Sequence, residues 1–291
     1  LAAYYQYSQK GVDMRRVKIT VVSVLAIILF FSVTAFAGEV LDRIIKRGEL
    51  VVGISADQPP LHFKTKDGKI IGFDADLSQI MADAMSVKLK IVNMPFHELL
   101  PSLEAGKIDM ILSGMTITPE RNLKVVFVGP YFITGKAFLA KHKKMSSVNN
   151  ASDLNQPEIK LAVLKDSTSQ RFAETLMPKA KRVRTKSLDE SLDLLLQDRV
   201  DAIISDYPFC VVSAIRYKNK GLVAAKTPFN YEPMGVALSD NDPLLVNFVE
   251  NLLNTLKGSG VLKKLAKKWL EDTSWMEKLP NTKEVTMLFQ E

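Results

Sequence analysis

Apolar positions along this chain fall into two rhythms that alternate. Short runs such as Leu50-Val51-Val52-Gly53-Ile54 read as buried strands. Further on, Leu77, Ile80, Met81, Ala84 and Met85 recur at i, i+3, i+4, i+7 and i+8, the apolar face of one helix, and Asp74 stands where its N-cap is expected. Between these segments Lys66-Asp67-Gly68-Lys69 separates Phe63 from Ile70-Ile71 and predicts a hairpin. A strand over 88–92, a helix over 97–105 ended by Gly106, and a strand over 108–112 continue the alternation. Strands that alternate with helices predict an α/β fold built on parallel sheets.

The plan then repeats. Ser187 and Glu190 form a capping-box pattern ahead of a helix carrying Leu188, Leu192, Leu195 and Leu196, and a strand over 200–204 follows. At a fixed offset of 92 residues, Glu98, Leu100, Leu103, Asp109, Ile111 and Ser113 reappear as Glu190, Leu192, Leu195, Asp201, Ile203 and Ser205. Amphipathic patterning alone accounts for the leucines and isoleucines. It accounts less well for an acid before each strand and a serine after it. Two similar α/β lobes are therefore expected. Open α/β sheets bind ligands at the carboxyl ends of their strands, so Ser113-Gly114-Met115-Thr116 should face Ser205-Asp206-Tyr207 across a cleft.

Composition narrows the class. The 291 residues suit one or two domains, and 47% hydrophobic against 24% charged residues supplies ample core material. Of the formal charge of +7, residues 1–37 hold Lys10, Arg15, Arg16 and Lys18 against Asp13, which leaves +4 for the rest. Lys257, Lys263, Lys264, Lys267 and Lys268 read as a solvated helix face rather than a nucleic-acid or lipid surface. The single cysteine, Cys210, excludes an intramolecular disulfide, a CxxC pair and a cysteine zinc cluster, and reads as a small buried hydrophobe. Neither a cofactor nor a metal is expected. At the front, Met14-Arg15-Arg16-Val17-Lys18 precedes an uncharged apolar run over 19–33 and then Ala35-Phe36-Ala37. That order predicts a signal peptide over 14–37, cleaved after Ala37, with 1–13 as an upstream extension. With no cysteine at the cleavage point, a free periplasmic protein is expected rather than a lipid-anchored one. Export and modest charge together disfavour a nucleic-acid partner.

The richest chemistry lies in Ser113 to Arg121. Gly114 permits close backbone approach, Thr116 offers a hydroxyl and an amide, and Thr118 with Pro119 can open a short helical turn. Arg121 is either a surface side chain or a bidentate carboxylate grip. Asp206, before Pro208, is either a turn former or the acceptor of a ligand ammonium. An Arg on one lobe and an Asp on the other would clamp a zwitterion. The loop Lys165-Asp166-Ser167-Thr168-Ser169 precedes a helix whose first amides could also take a carboxylate.

These residues resemble a known family, the periplasmic polar-amino-acid-binding proteins of ABC importers, or solute-binding protein family 3. The matching features are Gly72-Phe73-Asp74-Ala75-Asp76-Leu77, Phe96 with Leu100-Pro101-Ser102-Leu103, the Ser113-to-Arg121 segment, Gly129-Pro130-Tyr131, and Val200-Asp201-Ala202 leading to Asp206, in family order over most of 50–270. The resemblance implies a two-lobed fold of the periplasmic-binding-protein type II class, each lobe a mainly parallel sheet flanked by helices. It implies hinge crossings near 140–144 and 229–236, with lobe 1 spanning 39–140 and 231–291 and lobe 2 spanning 141–230. It further implies that Arg121 grips an α-carboxylate with Thr116 and Thr168, that the Gly114 carbonyl and Asp206 hold an α-ammonium, and that Phe96 walls the side-chain pocket. Ser113, Ser167, Gln58 and Ser55 complete the expected ligand set. Gln58 replaces an aromatic found in many relatives, Ser55 an aspartate, and Asp166 a glycine, so side-chain specificity stays open; Asp57 is a weaker candidate for a cationic side chain. The expected partners are an amino acid and an inner-membrane ABC permease, with the protein a monomer. The alternatives are a periplasmic dehydratase on the same scaffold, with His62, His97, Glu98 and Asp166 as positional candidates for acid–base work, and a ligand-sensing domain.

Overall fold

The computed structural model describes residues 38–141, 148 and 150–280; the expected signal segment and upstream residues lie outside the described residues. The chain opens with α1 (Glu39–Arg47), β1 (Glu49–Ile54), β2 (Asp57–Gln58), β3 (His62–Lys64), β4 (Ile70–Ile71) and α2 (Phe73–Ala84). It continues through β5 (Lys88–Asn93), α3 (Phe96–Glu104), β6 (Met110–Ile111), β7 (Val126–Thr134) and β8 (Lys136–Lys141). The second half runs β9 (Lys160–Leu164), α4 (Thr168–Leu176), β10 (Lys181–Thr185), α5 (Leu188–Leu196), β11 (Ala202–Asp206), α6 (Tyr207–Arg216) and β12 (Leu222–Ala224). It closes with β13 (Glu232–Leu238), α7 (Pro243–Gly258) and α8 (Val261–Ala266).

Two five-stranded sheets result, ordered β5-β1-β6-β13-β7 and β10-β9-β11-β8-β12. In each, the first three strands are mutually parallel and a fourth runs antiparallel beside them. The orders match in position, and the unit that repeats at the 92-residue offset is α3 with β6 against α5 with β11. The repeated acid has the same structural use in both lobes. Asp109 accepts from the Val51 amide at 2.8 Å, and Asp201 accepts from the Lys160 amide at 2.8 Å. Each thus pins the start of the third strand to the central one. Asp109 is buried and also holds Arg43 at 3.0 Å and Arg47 from α1.

The stripe on α2 packs through Leu77, Met81 and Met85, each buried, while Ile80 is half-buried and Ala84 exposed. Burial of such side chains contributes about 1.5–3 kcal/mol each. Asp74 does not cap this helix. Gly72 precedes it at φ 137, with a position so close that a Cβ there would lie 2.3 Å from the Leu61 carbonyl. That approach lets the Pro60 and Leu61 carbonyls take the amides of Phe73 and Asp74 at 3.1 and 2.8 Å, so no side-chain cap is needed and Asp74 turns inward. At the other end of the chain Trp269 and Trp275 pack on Phe63, with centroids 6.1 and 5.1 Å away, and tie the last segment to the first sheet's lobe. The five lysines of 257–268 are exposed, and Lys268 pairs with Asp76 at 2.6 Å. Cys210 is buried, and burial pushes its thiol well above the ordinary range.

The first crossing between sheets differs from the expected 140–144. β7 belongs to the first sheet and β8 to the second, so the chain crosses at Gly135. A single residue separates the two strands, so no loop in the sequence marks the crossing. The return crossing lies between Ala224 and Glu232. No helix among the described residues is long and apolar enough to cross a membrane.

Candidate functional site

The floor of the cleft forms where β6 ends. Gly114 sits in the left-handed region at φ 57, and a Cβ there would lie 3.2 Å from both Gln58 Oε1 and Leu61 Cδ1. Its amide donates to Asp74 Oδ2 at 2.8 Å. Burial raises the Asp74 carboxyl to about 7, against the lowering effect of the nearby Tyr131 hydroxyl and of the Gly114 amide. His62 Nε2 lies 3.7 Å from the same carboxylate and 3.4 Å from Ser113 Oγ. Burial lowers His62 to about 3, so the ring is neutral at physiological pH. Ser113 Oγ accepts from the Ser55 amide at 3.0 Å, and Ser55 Oγ donates to Asp57 at 2.8 Å. The other Asp57 oxygen accepts from the Leu188 amide at 2.8 Å, a contact from lobe 1 to the first turn of α5. Asp57 therefore fastens the lobes together; burial raises its carboxyl to about 6.

Arg121 stands on one wall. Thr118 Oγ1 accepts from its amide at 3.3 Å, and the short helical turn begins at Arg121 itself, after Glu120, rather than at Pro119. The guanidinium donates to the Thr116 carbonyl at 2.8 Å, reaches the Asp166 carbonyl of the opposite lobe at 3.4 Å, and lies 5.6 Å from the centre of the Phe96 ring. Burial lowers its pKa to about 10, and the charges of Glu232 and Asp206 oppose that fall. Arg121 thus stays cationic at neutral pH. Asp166 adopts φ 58, a left-handed turn that aspartate tolerates better than most residues, so it holds a conformation suited to glycine. Ser167 is the cap of α4: its hydroxyl accepts from the Gln170 amide at 3.2 Å and donates to the Leu164 carbonyl at 2.6 Å. Both capacities of that hydroxyl are used. A cavity of about 220 Å³ opens beside Arg121, lined also by Leu100, Thr118, Asp166, Thr168 and Arg171. At its rim Arg171 of lobe 2 pairs with Glu120 of lobe 1.

Across the lobes Thr116 Oγ1 and Thr168 Oγ1 approach to 3.3 Å. Both donate to Glu232 Oε2, at 2.6 and 3.0 Å. Asp206 accepts from Gln58 at 2.7 Å and pairs with Lys136 Nζ at 2.7 Å. Lys136 Nζ also lies 3.4 Å from Glu232 Oε2. Burial pushes the Glu232 carboxyl up, but Lys136 and the hydrogen bonds from Thr116, Asn230 and Thr168 hold it below the ordinary range. Arg121, Asp206, Thr116, Thr168, Phe96, Gly114 and Gln58 are thus brought to one place, with Ser55 and Ser113 bonded to each other in the floor. Lys136 and Glu232 were missed by sequence reasoning. The available signal was a lone charge at the start of an apolar strand, in Gly135-Lys136-Ala137-Phe138-Leu139 and Glu232-Pro233-Met234-Gly235-Val236. Of the positional candidates for acid–base work, His97 is half-buried rather than solvent-facing, and Glu98 is exposed.

Residues 50–272 match the family model of bacterial extracellular solute-binding proteins, family 3. The chain belongs to that family. Among its relatives, the L-arginine-binding protein of Pseudomonas aeruginosa is 31% identical over 231 residues, covering 75% of this chain and 86% of the relative. The cyclohexadienyl dehydratase of the same organism is 24% identical over 239 residues, covering 79% and 86%. A solved binding component of an ABC transporter from Wolinella succinogenes, complexed with lysine, is 38% identical with a TM-score of 0.76, covering 80% of this chain and all of its own. Most of the relatives are binding proteins, and the two-lobed α/β architecture of this family 3 chain is the architecture they share.

Proposed function

We propose that this solute-binding protein captures an amino acid between its lobes, by its α-carboxylate and α-ammonium groups, and presents it to an inner-membrane ABC permease. The observation that carries this reading is the Arg121 guanidinium, fixed over Phe96 with Thr116 and Thr168 converging beside it and Asp206 within electrostatic reach. Arg121 grips the carboxylate with Thr116 and Thr168; Asp206 and the Gly114 carbonyl take the ammonium. Gln58 and Phe96 border the solute, and Ser55, Ser113 and Ser167 shape the loops behind it. Lobe 2 swings on the crossings at Gly135 and between Ala224 and Glu232. The protein acts as a periplasmic monomer after cleavage behind Ala37.

Binding without turnover is favoured over dehydratase chemistry by the state of the candidate groups. His62 is neutral and buried beneath the floor, and Glu98 and Asp166 are exposed. His62, sealed at 0% exposure, cannot exchange a proton with a solute in the cleft, which acid–base catalysis requires. The test is a thermal-shift screen of the mature protein against the common L-amino acids. A ligand at 100 times its Kd adds about 2.7 kcal/mol of stability and raises the melting temperature visibly. A screen with no shift for any amino acid contradicts the reading, and product formed from prephenate replaces it with the enzymatic one.

A further inference from the structure

Lys136 and Glu232 are the first residues of β8 and β13, the strands that receive the chain after each crossing between sheets. Both are charged and almost fully buried, at 1% and 5% exposure. Glu232 Oε2 rests on the Thr116 and Thr168 hydroxyls, the donors assigned above to the solute's carboxylate. Lys136 Nζ rests on Asp206 Oδ1, the acceptor assigned to its ammonium. The chain thus places its own carboxylate and its own ammonium, 3.4 Å apart, on both charge-recognition points at once.

We propose that Lys136 and Glu232 form a built-in surrogate of the zwitterion, which occupies the recognition points of the cleft until a solute displaces it and restricts its solutes to molecules carrying both charges. This rests on the amino-acid reading above. The charges of Arg121, Lys136, Asp206 and Glu232 sum to zero. A solute with a carboxylate and an ammonium replaces both surrogate groups and keeps that balance, and the displaced Lys136 and Glu232 leave as partners of each other. A solute with one charge displaces one group only, separates the pair, and leaves a buried charge uncompensated, which is strongly unfavourable. Placement at the crossings couples displacement to hinge geometry: Asn230 Oδ1 accepts from the Lys136 amide at 2.6 Å, and Asn230 Nδ2 donates to Glu232 Oε1 at 2.8 Å.

Calorimetric titration of wild type, Glu232→Gln, Lys136→Met and a rim control, Glu120→Gln, tests this. Each receives the best L-amino acid, its deaminated carboxylic acid and its decarboxylated amine. Wild type is expected to bind only the amino acid. In Glu232→Gln the preference for the amino acid over the carboxylic acid should fall by about tenfold or more, and in Lys136→Met its preference over the amine should fall by a similar factor, as expected when a buried charge is removed. Glu120→Gln should leave both preferences unchanged, which separates the surrogate from a general change in cleft charge. Folded variants that keep the wild-type preferences, or that shift no more than the rim control, overturn the inference while leaving the amino-acid reading intact. A wild type that binds no amino acid overturns both.

Discussion

The two strand ends at 109–114 and 201–206 are built alike and then part at one position. Asp109 and Asp201 make the same bond to the amide of the neighbouring central strand, and Ser113 matches Ser205. The next position is Gly114 in one lobe and Asp206 in the other. In the first lobe a left-handed glycine brings backbone to the cleft; in the second a carboxylate stands there. The scaffold residues repeat because both lobes face the same problem of anchoring a short third strand. On the proposed reading, the edge residues differ because the solute presents different groups to the two sides.

This comparison can be broken at its scaffold half first. Asp109→Ala strips a buried carboxylate from Arg43, Arg47 and the Val51 amide, and should cost about 3–5 kcal/mol in a urea titration. Asp201 is less buried, so Asp201→Ala should cost about 1–2 kcal/mol. Equal losses would mean that the deeper burial of Asp109 adds nothing to its anchoring role.

The support beneath Gly114 gives the next effect. Burial raises the Asp74 carboxyl to about 7 in the folded protein from 3.8 in an unstructured chain, so the native state holds its proton more tightly than the unfolded chain does. Its contribution favours folding at low pH and fades as the pH rises from about 4 to about 7, by an amount on the order of 4 kcal/mol at most. Asp74→Asn retains an acceptor for the Gly114 amide and has no such titration. Its stability relative to wild type should therefore rise between pH 4 and 7, measured as the difference between urea midpoints. A constant difference would show that the buried carboxyl does not titrate as proposed.

A smaller effect is expected at Gly114 itself. Gly114→Ala places a methyl in a left-handed turn, 3.2 Å from Gln58 and Leu61, and should cost about 1–2 kcal/mol of stability. Because Gln58 holds Asp206, solute affinity should fall as well. Loss of stability with unchanged affinity would mean that the glycine serves the fold alone.

Much of this was readable from the residues. Periodicity located α2 and α3 to within a residue or two, the turn at 66–69 marked the β3–β4 pairing, and the offset repeat anticipated the matched sheets. Arg121, Thr116, Thr168 and Asp206 were singled out because loop residues after buried strands lie at sheet edges, and the family resemblance supplied the roles expected of them. Asp74 was misread as a cap, since nothing local shows that backbone carbonyls from 60 and 61 satisfy the helix amides. Lys136 and Glu232 escaped because a charge at the start of an apolar strand does not reveal which way the strand faces. Their roles depend on each other and on Asp206, 70 residues beyond Lys136, and partners so far apart in sequence meet only once both lobes are folded.

Arg121 is the proposed carboxylate grip of the clamp. Calorimetric titration of the best amino acid into Arg121→Ala tests it most directly. Removing one partner of a desolvated charge pair costs about 2–5 kcal/mol, so affinity should fall at least about thirtyfold in a variant that remains folded. Binding within a few-fold of wild type would contradict the account.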